Sequence, residues 1–148
     1  MKICTRLWIL MLIILVSGCG EQNNRTNSAQ PNPSSPYVET MDNIVERNGQ
    51  IKNKERFDEF LSNVQQGEAD RIRVVKYTTE GAAILYDYDF KNDVINVVID
   101  TTRDGYGQQQ IIQTACTSIK SVEEQGSTSY ELDGCTPSTG GRLILTIE

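Results

Sequence analysis

The chain contains no histidine among its 148 residues. Histidine is the most common general base and metal ligand, and its charge changes near neutral pH. Its absence excludes every mechanism that passes a proton through an imidazole, including those of the Ser–His–Asp and Cys–His types. It also excludes zinc sites built on histidine. Because no other metal-ligand spacing is present, the sequence predicts neither a cofactor nor a metal centre.

Long apolar stretches are scarce. One uncharged run extends from Leu7 to Val16, about half of the roughly 20 apolar residues that a membrane-spanning helix needs. Two positive charges, Lys2 and Arg6, precede the run, and small residues follow it. This is the layout of a cleavable secretory signal. We therefore predict a signal peptide at residues 1–18.

The segment Val16-Ser17-Gly18-Cys19 resembles the lipobox of bacterial lipoproteins. The resemblance implies cleavage before Cys19, an S-diacylglycerol group on its thiol and a palmitoyl group on its amine. Two or more acyl chains give stable membrane anchoring, which one chain does not. We expect the chain to be lipid-anchored at the extracytoplasmic face of the cell membrane. The alternative is ordinary secretion with Cys19 left free.

Basic residues are outnumbered, with 14 Lys and Arg against 20 Asp and Glu, for a formal net charge of −6. Loss of Lys2 and Arg6 with the signal would change the net charge to −8. A chain of this charge lacks the positive patch that nucleic acids require. We expect no nucleic-acid partner.

Residues 19–41 are rich in Asn, Gln, Ser and Pro and contain little that can be buried. Such a composition cannot offset the entropy of ordering, so we predict a flexible tether here. Packing of part of it, Tyr37 to Met41, on the domain is the open alternative. Residues 42–148 are patterned throughout and are long enough for one domain.

One amphipathic helix is expected after Asn53, a suitable N-cap residue. Gly67 suits the left-handed position that ends a helix. Between them, four apolar residues at helical spacing form one stripe: Phe57, Phe60, Leu61 and Val64.

Two candidate two-residue turns, Asn92–Asp93 and Glu80–Gly81, predict the strand registers that follow. Around the first turn, large side chains pair on one face: Phe90 with Ile95, Tyr88 with Val97, and Tyr86 with Ile99. Around the second turn, two pairs would join the same face: Tyr77 with Ile84 and Val75 with Tyr86. The sequence thus predicts an α+β fold in which one amphipathic helix packs on an antiparallel meander sheet of five or six strands.

A further hairpin is predicted around Gln125–Gly126. In that register Lys120 faces Glu131, and Cys116 faces Cys135. We predict a disulfide between these two cysteines, with two buried free thiols as the alternative. A last strand, Arg142 to Ile147, would place Leu143, Leu145 and Ile147 on one face.

Several segments of the domain are similar to a family of Bacillus-type lipoproteins, the domain-of-unknown-function family 4362. The similar segments are Asn48–Asn53, Phe57, Phe60, Asp70–Gly81, Asp100–Gly107, Cys116 and Cys135. The family has no established activity. The resemblance therefore implies architecture and location only.

Three groups of charged residues could support a site. Asp87 and Asp89 share one strand face and could serve acid–base chemistry or calcium, or could simply be solvated. The loop from Asp100 to Gly107 offers possible ligand contacts at Arg103, Asp104 and Tyr106, although turn chemistry also explains its composition. Arg71, Arg73 and Lys76 could form an anion site but more simply balance neighbouring acids.

The absence of a catalytic set favours a non-enzymatic binding or interaction module with an unknown protein or cell-envelope ligand. A carboxylate-based hydrolase of the cell envelope is one alternative, and it would need acids such as Asp87, Asp89 and Glu80 to face each other across a cleft. An inhibitor or immunity-type protein is another alternative.

Overall fold

A computed structural model describes residues 36–138 and 142–148. The predicted signal peptide, Cys19 and most of the predicted tether lie outside the described residues. The elements in chain order are β1 (Ile44–Arg47), β2 (Gln50–Lys52), α1 (Lys54–Gln66), β3 (Asp70–Tyr77), β4 (Ala83–Lys91), β5 (Val94–Asp100), β6 (Ile111–Cys116), β7 (Ser118–Glu124), β8 (Ser127–Asp133) and β9 (Leu143–Ile147).

The strands form two sheets. Six strands lie in the order β2-β1-β3-β4-β5-β6, and three lie in the order β7-β8-β9. All neighbours are antiparallel except β1 and β3, which are parallel. The predicted α+β fold, with one helix packed on a largely antiparallel sheet, is confirmed. The small second sheet is an addition that the sequence did not indicate as a separate unit.

Helix α1 has the predicted bounds but begins differently from the expectation. Asn53 has a left-handed backbone (φ 62°) and makes no side-chain cap. Its Nδ2 instead donates to the carbonyl oxygen of Met41 at 3.0 Å. At the other end Gly67 is left-handed (φ 74°), and its N–H donates to the carbonyl of Val64. Over residues 36–138 and 142–148, no helix is long and apolar enough to cross a membrane.

The main core lies between one face of the six-stranded sheet, helix α1 and the three-stranded sheet; this face is called the inner face. Phe57 and Phe60 of α1 are fully buried there beside Tyr88. The Phe57 ring meets Tyr130 of β8 edge to face, with ring centroids 5.2 Å apart. The helix therefore joins the two sheets through aromatic contacts.

The hairpin of β4 and β5 has the predicted register. Asn92 and Asp93 both have positive φ, 52° and 60°, as a two-residue turn of the primed type requires. The pairs are those expected from the burial pattern: Phe90 with Ile95, Tyr88 with Val97, and Tyr86 with Ile99.

The predicted register between β3 and β4 is wrong by one residue. Val75 pairs with Leu85, and Tyr77 pairs with Ala83. The N–H of Thr78 donates to the carbonyl of Ala82 at 2.9 Å, so the loop between the strands has three residues, 79–81, instead of two. Gly81 supplies the left-handed residue that such a loop needs (φ 87°). One slip exchanges the two faces of a strand. Val75 and Tyr77 therefore lie on the opposite face, called the outer face, in a second cluster with Val45, Ala83 and Leu85.

The hairpin of β1 and β2 was not expected, although Asn48-Gly49 is a strong turn signal. Both residues have positive φ, 53° and 80°. Strand β1 then lies parallel to β3, with Ile44 opposite Val74. Neither strand alternates over enough residues to be recognised by periodicity.

The hairpin of β7 and β8 is confirmed, with Lys120 opposite Glu131. The Lys120 ammonium, however, bonds the diagonal Asp133 carboxylate at 2.7 Å. Cys116 and Cys135 form the predicted disulfide. Because Cys116 ends β6, the disulfide ties the six-stranded sheet to the segment that leaves β8.

The prediction that Leu143, Leu145 and Ile147 share one face is wrong for Leu143. A bulge opposite Tyr130 and Glu131 interrupts the alternation. Ile144 and Leu145 are consequently both buried, and Leu143 is exposed.

Replacing both Cys116 and Cys135 with serine is expected to lower the free energy of unfolding by about 3 kcal/mol, because the unfolded chain gains the freedom of the released loop. The sequence separation of the two cysteines is 19 residues. Denaturant unfolding would measure the loss, with Ser121→Ala on the exposed side of β7 as a control. Equal stability of the double variant and the parent would contradict the prediction.

Candidate functional site

The charged residues of β3 and β4 face each other across the outer face. Arg73 lies opposite Asp87, and its Nε and Nη2 donate to the two carboxylate oxygens at 2.6 and 2.8 Å. This bond to Asp87 raises the pKa of Arg73 above its usual value. The interpretation that the basic strand balances neighbouring acids is confirmed for Arg73.

The other two basic residues of β3 are placed differently. Arg71 lies opposite Asp89, yet no carboxylate of the described residues is within 4.0 Å of its guanidinium. Lys76 is on the inner face, where its Nζ lies 5.1 Å from the Tyr86 ring centroid and donates to the carbonyl of Leu143. Burial lowers the pKa of Lys76. The three cations therefore do not form one anion site.

The acids considered for catalysis or metal binding are not arranged as a catalytic pair across a cleft. Asp87 and Asp89 project from one strand, and Glu80 lies in the loop between β3 and β4. Both oxygens of Asp87 are already engaged by Arg73. In the part of the chain that the structure describes, no cluster of three or more metal-ligating side chains occurs.

The loop that follows β5, residues 101–110, is organised around Asp100. One oxygen of its carboxylate accepts the backbone N–H and hydroxyl of Thr102 at 2.9 and 2.6 Å, and the other accepts Nη1 of Arg103 at 2.8 Å. Further along, the Asp104 carboxylate accepts the N–H of Tyr106 at 3.0 Å. Burial alone would raise the pKa of Asp100, but the bonds from Thr102 and Arg103 outweigh it and hold the pKa below its usual value.

Arg103 is the most unusual side chain of this loop. Only 8% of its side-chain surface is exposed, although an arginine is rarely buried to this degree. Its Nε–H is buried and has no acceptor among residues 36–138 and 142–148. A buried donor without a partner costs about 1–3 kcal/mol, so an acceptor at this atom would be stabilising. The core hydroxyl of Tyr88 is the other buried polar atom of the described residues without a partner.

Two adjoining grooves on the outer face share Arg103 in their walls. The larger, called the tyrosine groove, has a volume of about 520 Å³ and lies between the β3–β4 loop and the loop after β5. Its walls include Tyr37, Tyr77 and Tyr106, with Arg47 and Arg103 as the cations. The smaller groove, about 360 Å³, lies beside it and contains Val38 and Ile111.

The segment before β1 forms part of these walls. Pro36–Met41, which the sequence assigns to the tether, contacts the domain through Tyr37 and Glu39. The Tyr37 hydroxyl donates to the Asn43 side chain at 2.7 Å, and its ring packs on the outer-face cluster. Glu39 accepts the Tyr77 hydroxyl at 2.9 Å.

Of the three residues predicted as ligand contacts, Arg103 and Tyr106 line the tyrosine groove, whereas Asp104 holds the backbone of Tyr106. Tyr106 is 86% exposed. Sequence reasoning missed Tyr37 and Arg47. The guanidinium carbon of Arg47 lies 3.9 Å from the Tyr77 ring centroid, a contact between strands that no local pattern encodes.

Asp100→Asn should weaken the pH dependence of stability in acid. The folded pKa of Asp100 is depressed, so its stabilising contribution is present above the unfolded value of about 3.9 and is lost as the pH falls through the lower folded value. The free energy of unfolding measured between pH 5 and pH 2 should therefore fall more steeply for the parent than for the variant. Parallel curves would contradict the prediction. Asp93→Asn, in an exposed turn, is the control.

Comparison with known proteins yields one match. No curated protein matches the chain, and neither does any solved structure. The model of a family described as domain of unknown function DUF4362 matches residues 41–131, from the residues before β1 through most of β8. This region is more than half of the chain and includes β1 to β6, α1 and the loop after β5. The chain therefore belongs to the DUF4362 family.

Proposed function

We propose that this protein is a non-enzymatic binding module, anchored by a lipid on Cys19 at the extracytoplasmic face of the cell membrane. Its ligand contacts are the walls of the tyrosine groove. The ligand is a component of the cell envelope or a protein at the cell surface. The signal layout of residues 1–18 and a disulfide suited to an oxidising compartment support the location.

The observation that carries the binding proposal is the buried, unpartnered Nε–H of Arg103 in a groove wall. Nearly all buried polar groups in native proteins are hydrogen-bonded, and an exception needs a reason. Concave sites with aromatic walls and a few convergent polar groups are typical of ligand binding. A ligand acceptor on Arg103 supplies the missing partner.

The hydrolase alternative receives less support from the same residues. Asp87 is neutralised by a bidentate arginine, and the chain has no histidine that could act as a base. The pKa values of the Asp70, Asp100 and Asp133 carboxyl groups are lowered, the opposite of what a general acid requires. Binding without chemistry is the simpler use of this surface.

Cys19→Ala is expected to release the protein from the membrane fraction and to remove the mass of the acyl groups, because the proposal makes the lipid on Cys19 the anchor. Fractionation of cells and mass spectrometry of the intact protein would measure both effects. Cys4→Ala, within the predicted signal, is the matched control and should remain anchored. Retention of the Cys19 variant on the membrane would contradict the proposal.

A photo-crosslinking side chain placed at Tyr106 of the full chain in intact cells should capture a ligand. The matched control places the same group at Glu123, an exposed position on β7 of the second sheet. A discrete adduct at position 106 and none at 123 supports the groove as the contact site. Equal labelling at both positions, or no adduct at position 106, would count against it.

A further inference from the structure

We propose that the tyrosine groove takes a small molecule carrying a carboxylate next to an apolar group, with the guanidinium of Arg103 as the partner of that carboxylate. This inference rests on the proposed binding function and adds the chemistry of the ligand. It follows from the hydrogen-bonding geometry of two arginines and from the aromatic walls of the groove.

Arg73 and Arg103 each bind a carboxylate, but with different parts of the guanidinium. Arg73 donates from Nε and Nη2, one edge of its guanidinium, to both oxygens of Asp87. Arg103 donates from Nη1 alone to Asp100. Within the described residues its Nε is unpartnered, so the edge that Arg73 uses for Asp87 is left unused in Arg103. A planar, bidentate acceptor fits that edge.

Charged side chains of both signs line or adjoin the groove. Two guanidiniums, Arg47 and Arg103, line it together with one carboxylate, Glu80. Each cation already has one acidic neighbour, Glu39 for Arg47 at 3.5 Å and Asp100 for Arg103 at 2.8 Å. Arg47 remains 57% exposed and can reach a ligand. With Glu80, the acids in and beside the groove outnumber these two cations, so a carboxylate is selected by hydrogen bonding to the arginines rather than by net charge.

The walls of the groove suit an apolar neighbour of that carboxylate. Tyr37, Tyr77 and Tyr106 lie around it, and tyrosine rings offer a large apolar area at little entropic cost. Tyr106 is largely exposed. It lies on the loop end, residues 105–110, where every residue is exposed. Because the Nε–H of Arg103 is buried, a ligand needs a local shift of the groove wall to reach it. We expect that shift at this exposed loop end, where Gly105 and Tyr106 line the groove with Arg103.

A peptide ending in a free carboxylate and a saccharide carrying a uronic acid both have this chemistry. The volume of about 520 Å³ accommodates either. The probes are therefore N-acetyl-alanyl-alanine as the free acid, the same dipeptide as its C-terminal amide, and methyl glucuronoside. The protein is the mature full-length chain, and binding is followed by NMR through the Nε–H signal of Arg103 and the amide signals of Gly105 and Gly107.

At least one carboxylate probe should shift the Arg103 Nε–H signal in a saturable way. If the dipeptide acid binds, its amide should bind about tenfold more weakly or not at all, because it cannot accept two charged hydrogen bonds. A response to the dipeptide alone identifies a peptide carboxylate, and a response to the glucuronoside alone identifies a uronate. Equal binding of acid and amide, or no shift with either carboxylate, overturns the inference.

Arg103→Lys keeps the charge but removes the bidentate edge, so carboxylate binding should weaken about tenfold. Tyr106→Ala and Arg47→Gln change exposed side chains that do not hold the core, and each should also weaken binding. These two variants keep the inference testable if the variant at Arg103 fails to fold. Arg71→Gln, an exposed arginine outside this groove, is the matched control and should bind as the parent does. Unchanged affinity in all three groove variants overturns the inference.

The binding function and the ligand chemistry can be rejected independently of each other. Capture of a ligand at position 106 in cells without any carboxylate response would leave the binding function in place and reject only the ligand chemistry. Carboxylate binding in solution without capture in cells would support the groove chemistry and count against the cellular role.

Discussion

The pairing of β3 with β4 is the constraint on which the rest of this structure depends. The three-residue loop closed by Thr78 and Ala82 turns Val74 toward the helix and Val75 away from it. It also places Arg73 directly opposite Asp87 on the outer face. A pairing shifted by one residue would turn Arg73 to the inner face and Val74 to the outer face. The desolvation of a charge and the loss of apolar burial both oppose that exchange.

The outer face that results from this pairing is not a simple solvated surface. The cluster around Val75 and Leu85 is apolar, and Tyr37 packs against it from the segment before β1. That contact brings Pro36–Met41 over the sheet and forms walls for both grooves. The inner face holds the molecule together through α1 and the second sheet, which leaves the outer face available for contacts.

The electrostatics of the outer face show where a ligand would gain most. Arg73 and Asp87 satisfy each other, and Asp100 is satisfied by Thr102 and Arg103. In the part of the chain that the structure describes, the buried Nε–H of Arg103 finds no acceptor after these pairs are made. Unsatisfied buried groups are rare in folded proteins and often coincide with functional sites, because only an additional partner removes their cost.

Local sequence patterns determined the elements of this protein: the helix from its apolar stripe and terminal glycine, the β4–β5 and β7–β8 hairpins from their turn residues, and the cysteine pair from its register. These features join residues no more than 19 positions apart in the chain, so periodicity and turn chemistry are sufficient to predict them. Tertiary structure alone decided the parallel pairing of β1 with β3, the face of Val75, and the grooves that Tyr37, Arg47 and Arg103 line together. These depend on contacts between residues far apart in the chain, where the energy of burial chooses among arrangements that local propensity leaves equal.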